Sequence, residues 1–131
     1  MKVLDATFLI DYLNGDSDTA DFLYENKDEH FVVPAPTYAE ALVGEGNAPD
    51  GVLEEAISGL DWVEVVEIDA PTAVLAGQIS DEVGPQGPFL TGMDALVAAV
   101  AHRLAAPLVT SDGDLTHEAV NAVIAVETYR S

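Results

Sequence analysis

The sequence predicts a single α/β domain, a mostly parallel five-stranded sheet with helices on both faces. Three observations lead there. Short β-branched runs alternate along the chain with longer segments of helical periodicity, the order that βαβ units produce. The connections between them are short and marked by Gly, Pro and Asn. The chain has 131 residues, 49% of them apolar, which is enough for one continuous core and one domain spanning 1–131.

The elements follow in order. Lys2-Val3-Leu4-Asp5 is a short apolar run ending in an acid, and Ala6 to Leu13 then sets Phe8, Leu9, Tyr12 and Leu13 at helical spacing before Asn14-Gly15 stops it. A second helix fits Ser17 to Asn26, and His30 to Val33 before Pro34 reads as the second strand. Pro36 to Val43 opens a helix that Gly44, Gly46, Asn47 and Pro49 close, and Val52 to Leu60 is helical in pattern. Trp62 to Ile68 is β-rich and partly alternating, a third strand. Pro71 to Val83 is a helix ended by the loop Gly84-Pro85-Gln86-Gly87-Pro88. Met93 to Ala105 is the clearest helix, Leu108 to Thr110 the fourth strand and Val120 to Val126 the fifth.

Charge is the unusual feature, with 24 acids against Lys2, Lys27, Arg103 and Arg130, a formal net charge of -20. Such self-repulsion opposes a compact state in dilute salt, whereas at molar salt the Debye length falls to about 3 Å. A salt-rich, halophile-like cytoplasm is the expected setting. Four basic residues do not make a phosphate-neutralising patch. Any nucleic-acid binding therefore has to come from metal bridging, hydrogen bonds and stacking. Acids at Asp5 and Asp11 inside the first apolar run suit no leader peptide, and no stretch has the roughly 18 uncharged apolar residues of a membrane span. With no cysteine, and with His30, His102 and His117 lacking ligand spacing, a zinc site is not expected.

In a parallel sheet the carboxyl ends of strands and the amino ends of following helices share one rim, where ligands bind. Asp5 ends the first strand and Asp112 lies just past the fourth; Glu40 and Asp94 fall in the first turns of their helices, three residues after Thr37 and Thr91. Asp94 heads an apolar stripe of Val97, Ala98, Ala101 and Ala105, so its carboxylate is directed inward over the rim, where leaving it unpaired is costly. Each acid has a structural reading as well. Thr37-x-x-Glu40 and Thr91-x-x-Asp94 fit capping boxes, Asp5 fits a turn, and Asp112 and Asp114 flank Gly113 in a turn that Asp114 could follow by capping a helix. The conjunction favours a hard, oxygen-rich site for Mg²⁺ or Mn²⁺.

Four segments resemble the motifs of PIN-domain ribonucleases of the VapC toxin type. Leu4-Asp5-Ala6-Thr7-Phe8-Leu9-Ile10-Asp11 is similar to the first, Thr37-Tyr38-Ala39-Glu40 to the second, Asp94-Ala95-Leu96-Val97-Ala98-Ala99 to the third and Val109-Thr110-Ser111-Asp112-Gly113-Asp114-Leu115 to the fourth. Their order covers essentially the whole chain. The resemblance implies a Rossmann-like α/β/α sandwich, a metal-dependent endoribonuclease acting on RNA, frequent homodimers and a VapB-like antitoxin that holds the toxin inactive. By the same resemblance Asp5 and Asp94 ligate the metal directly, Glu40 binds it directly or through water, Asp112 completes the cluster, and Thr7 and Thr110 hydrogen-bond the carboxylates. An antitoxin segment would dock near Phe8, Tyr12 and Phe22 and insert a basic side chain among the acids. Two positions depart from the family pattern: Leu115 stands where an aromatic is frequent, and Ser111 where a basic residue is.

No histidine or lysine is placed as a general base, so the metal is expected to activate the attacking water, leaving a 5′-phosphate and a 3′-hydroxyl. His117 reads as a solvated loop residue. A receiver domain would need a late lysine, and none follows Lys27; a haloacid-dehalogenase phosphatase would need a second acid in Asp5-Ala6-Thr7. The other open reading is a catalytically silent PIN module that acts through protein contacts. The charge gives a direct expectation: in circular dichroism melts the unfolding temperature rises as KCl is raised toward molar concentration, and a flat or falling series would remove the halophile reading.

Overall fold

The computed structural model describes residues 1–130. Strands β1 (Lys2–Leu4), β2 (Phe31–Pro34), β3 (Glu64–Val66), β4 (Leu108–Val109) and β5 (Val126–Glu127) form one sheet in the order β3-β2-β1-β4-β5. Every pairing is parallel. Helices α1 (Ala6–Leu13), α2 (Ser17–Glu25), α3 (Ala35–Asn47), α4 (Leu53–Gly59), α5 (Ala70–Val83), α6 (Gly92–Leu104) and α7 (Glu118–Asn121) cover it.

The strands are buried on both faces because successive side chains serve two cores. Val3, Val32 and Leu108 join Ala76, Ile79, Val83 and the α6 residues Val97, Ala98 and Ala101 in one core. Their neighbours Leu4, Phe31, Val33 and Val109 join Phe8, Leu9, Ala41, Leu60 and Tyr129 in the other. Helix α6 is buried over most of its circumference, from Ala95 to Ala101, and its alanines let it sit between the sheet and α5. This is the α/β/α sandwich expected from the sequence.

Several boundaries differ from expectation for identifiable reasons. Helix α3 starts at Ala35 with Pro34 as its N-cap, because Pro36 is tolerated in a first turn, and it runs through Gly44 and Gly46 to Asn47. Glu40 therefore lies in the second turn and Thr37 is no N-cap, so that capping box does not form. The third strand is only Glu64–Val66, an edge strand, and Trp62 instead packs on Phe31 while its Nε1 donates to the Gly59 carbonyl at 2.7 Å.

The expected fifth strand over 120–126 is misplaced. Val120 and Ile124 are both buried in the α5–α6 core at a spacing that one helical turn delivers, so α7 occupies 118–121 and pairing begins only at Val126. His117 is half-buried and caps α7, its Nδ1 accepting from the Ala119 amide at 3.0 Å, rather than lying free in a loop. Helix α6 ends at Leu104: the Ala105 and Ala106 amides turn back to the His102 and Ala101 carbonyls, with Ala105 at φ +50°, so Ala105 is exposed and leaves the stripe below Asp94.

Candidate metal centre

Strand β1 delivers Asp5 to the rim. Its amide donates to the Val109 carbonyl at 3.1 Å, which fixes the end of β1 against β4. Although Asp5 occupies the N-cap position of α1, its side chain makes no capping bond. Its Oδ2 instead accepts from Thr110 Oγ1 at 2.7 Å and from Thr7 Oγ1 at 3.2 Å. The two threonines thus take the supporting place that the sequence assigned them. Asp5 is 5% exposed. Burial pushes its carboxyl above the usual range, the Thr110 and Thr7 bonds oppose this, and the charge of Asp112 adds to the rise.

The segment after β4 brings in two more acids. The Asp112 amide donates to Thr110 Oγ1 at 3.0 Å, and Asp112 Oδ1 accepts from the Asp114 and Leu115 amides at 2.8 and 3.1 Å. Leu115, fully buried in the α5–α6 core, anchors this turn. Asp112 is therefore a turn former and a rim acid at once.

Asp94 enters from the first turn of α6. Thr91 is the N-cap, its hydroxyl accepting from the Asp94 amide at 3.1 Å. The Asp94 carboxyl is pushed up to about 6, first by burial and then by the charges of Asp112, Asp5 and Asp114, against a hydrogen bond from Thr91. Asp94, Asp112 and Asp114 each offer a carboxylate oxygen, all within 4.8 Å of one another. Asp5 stands behind them and couples to Asp94 and Asp112 through charge.

Of the four acids expected at the site, Asp94 and Asp112 thus meet directly and Asp5 adjoins them. Glu40 lies on the exposed side of α3, outside the close group. Asp114, whose place in the site the sequence left open beside a turn or cap role, stands beside Asp112. The signal was Asp112-Gly113-Asp114 itself, two acids folded onto one side of a turn.

Three carboxylates this close repel one another unless a cation or a proton lies among them. All donors are hard oxygens, which fits Mg²⁺ or Mn²⁺ better than a soft metal. The protein's own cations are engaged with other partners: Lys2 with Glu127, Arg103 with Asp69, and Arg130 with Asp11 and Asp16, while Lys27 stands 5.1 Å from the Tyr24 ring centre.

The PIN domain family model matches residues 2–121. The chain belongs to the PIN domain family. No curated protein matches this PIN domain in sequence. Its fold is similar to a chain of a toxin-antitoxin complex from Klebsiella pneumoniae, with a TM-score of 0.81 at 19% identity over 100% of this chain and 99% of the other. It is similar as well to FitAcB from Neisseria gonorrhoeae, with a TM-score of 0.82 at 23% identity over 98% of both chains. VapC20 of Mycobacterium tuberculosis, described as a sarcin-ricin loop cleaving toxin, gives 0.67 at 17% identity over 88% of this chain and 93% of that one. At such identities the likeness is one of fold.

The raised Asp94 carboxyl makes a prediction for the metal-free protein. The folded state holds this proton more tightly than the unfolded chain, so the group favours the fold below about pH 4, and that contribution is lost as pH climbs through about 6. In thermal melts, Asp94→Asn should flatten the fall in Tm across this window and match or exceed the wild type at neutral pH. A lower Tm at neutral pH with an unchanged pH profile would show Asp94 to be only a first-turn acid favoured by the helix dipole.

Proposed function

We propose that this PIN domain is a Mg²⁺- or Mn²⁺-dependent endoribonuclease and the toxin of a type II toxin-antitoxin pair. The observation that carries the proposal is the convergence of the Asp94, Asp112 and Asp114 carboxylates, backed by Asp5, at the carboxyl rim of the parallel sheet. Asp94, Asp112 and Asp114 would hold the ion, with Asp5 within charge range and Glu40 reaching it through water or substrate. A divalent ion there would neutralise charge at the scissile phosphate and acidify the attacking water.

The chain's own residues prepare the site. Thr7 and Thr110 fix Asp5, the Asp114 and Leu115 amides fix one oxygen of Asp112, and Thr91 sets the turn that carries Asp94. Positioning by neutral donors leaves the negative charge available to an incoming cation. Because the basic side chains are engaged elsewhere, RNA phosphate has to be gripped chiefly at the metal, which favours attack on one phosphodiester over retention of a long strand.

The toxin assignment is supported by the neighbour described as a toxin-antitoxin complex and by the neighbour described as a sarcin-ricin loop cleaving toxin. The partners are then RNA, a VapB-like antitoxin and a second copy of the chain, in the cytoplasm; no helix among the described residues is long and apolar enough to cross a membrane. Of the three residues near which the sequence placed the antitoxin, Phe8 is fully buried, while Tyr12 and Phe22 are only partly buried. Exposed apolar side chains include Ile10 on α1, Val43 on α3 and Leu53 and Ile57 on α4.

Cleavage of a generic RNA, with Mn²⁺ or with EDTA at high salt, tests the proposal. The wild type should cut only with metal. Asp94→Asn and Asp112→Asn, each of which removes a carboxylate that would hold the ion, should lose at least about 100-fold, and Asp5→Asn, which removes charge only from behind the group, about 10-fold. Full activity in Asp94→Asn contradicts the site, and a wild type that binds Mn²⁺ without cutting RNA supports the silent protein-contact module.

A further inference from the structure

The penultimate described side chain reaches the candidate metal centre from the far end of the sequence. Tyr129 follows β5, is 6% exposed and packs edge-on against Phe8 at 4.8 Å between ring centres. Its hydroxyl donates to Asp11 Oδ2 on α1 at 2.5 Å and lies 2.9 Å from Ser111 Oγ. Tyr129 has a single proton and Asp11 takes it, so Ser111 donates to the tyrosine oxygen. Arg130 donates to the same Asp11 oxygen at 2.5 Å and to Asp16 Oδ2 at 2.6 Å, which pins Asp11 from a second side.

Ser111 is the residue immediately before Asp112, and it is held twice. Its amide donates to Thr7 Oγ1 at 3.2 Å, and Thr7 Oγ1 in turn donates to Asp5. Its hydroxyl is held by Tyr129. Two fixed points on one residue set both its place and its rotation, and so the direction in which the chain enters Asp112. Burial, the Asp11 bond and the resulting high pKa, pushed up to about 12, keep Tyr129 a neutral donor throughout the working pH range.

We propose that Tyr129 is a positioning residue for the metal centre, acting through Ser111 to hold the Asp112–Asp114 turn against α1. The proposal rests on the metal-site reading for its functional consequence, but the mechanical link stands by itself. Loss of the hydroxyl frees Ser111 to rotate, the turn samples other directions, and the close approach of Asp112 and Asp114 to Asp94 is held for a smaller fraction of the time. Metal affinity then falls although no ligand has been touched.

Tyr129→Phe keeps the ring on Phe8 and removes the hydroxyl's bonds to both Asp11 and Ser111, Ser111→Ala removes the Ser111 bond alone, and Ser111→Thr retains a hydroxyl. Two measurements separate the link from the metal reading. In the metal-free protein, amide hydrogen exchange at Asp112, Asp114 and Leu115 should quicken several-fold in Tyr129→Phe and Ser111→Ala while the β1 and α6 amides stay protected. By calorimetric titration with Mn²⁺, both variants should bind about 5- to 10-fold more weakly, the double variant no more weakly than either, and Ser111→Thr as the wild type does. Unchanged exchange at the turn in both single variants would overturn the link, and an unchanged Mn²⁺ affinity with faster exchange would overturn its role at the metal. A wild type that fails to bind Mn²⁺ would sink the metal reading, while the exchange data would still decide the link. Should Tyr129→Phe unfold, Ser111→Ala carries the same comparison.

Discussion

Negative charge at the rim is held in place by neutral hydroxyls and amides rather than by any cation of the protein's own. Asp5 leans on Thr7 and Thr110, Asp94 is set by Thr91, and Asp112 is fixed by the amides of its own turn. Hydroxyls and amides orient a carboxylate without neutralising it, so the mutual repulsion of the group persists and adds to the rise that burial chiefly causes in the carboxyls of Asp5 and Asp94. The rest of the fold serves this constraint. A parallel sheet brings the ends of β1 and β4 side by side, and α6 is buried deeply enough that its first turn cannot swing away from them.

Most of this was legible in the sequence because it depends on strong local patterns. The alternation of Val3 with Leu4 and of Val32 with Val33 divides each strand between two cores, and the apolar stripe of α6 shows which way Asp94 faces. The losses fall where local pattern and tertiary demand diverge. Val120 to Val126 is β-rich in composition, yet burial of Val120 and Ile124 together requires a turn of helix, and the true strand is too short to leave a signature. Glu40 was placed in a first turn with Thr37 read as a capping residue, whereas the helix already begins at Ala35 with Pro34 as its N-cap. Asp114 stayed open because Asp-Gly-Asp reads equally well as a plain turn. Tyr129 and Ser111 are separated by nearly the length of the sheet's last crossover, and no periodicity links them.

The charge of the chain and the chemistry of the site express one design. A PIN domain with four basic residues, three of them in ion pairs with acids, has little left with which to attract a phosphate backbone at long range. On the proposed function it would rely on contacts made after encounter, and a divalent ion would be the strongest of these. The same excess of acid that opposes folding in dilute salt thus concentrates cations around the protein, and the rim is where they can be bound by several carboxylates together. Tyr129 and Arg130 fasten the segment after β5 to Asp11 of α1 and to Asp16, the N-cap of α2.

The central claim is that these carboxylates bind one divalent ion between the end of β4 and the start of α6. Anomalous diffraction from crystals grown with millimolar Mn²⁺ tests it most directly. The account predicts a manganese peak touching Asp94 and at least one of Asp112 and Asp114, on the side facing Asp5. Manganese bound elsewhere on the acidic surface, with Asp94 turned to its own helix amides and the rim without a peak, would contradict it.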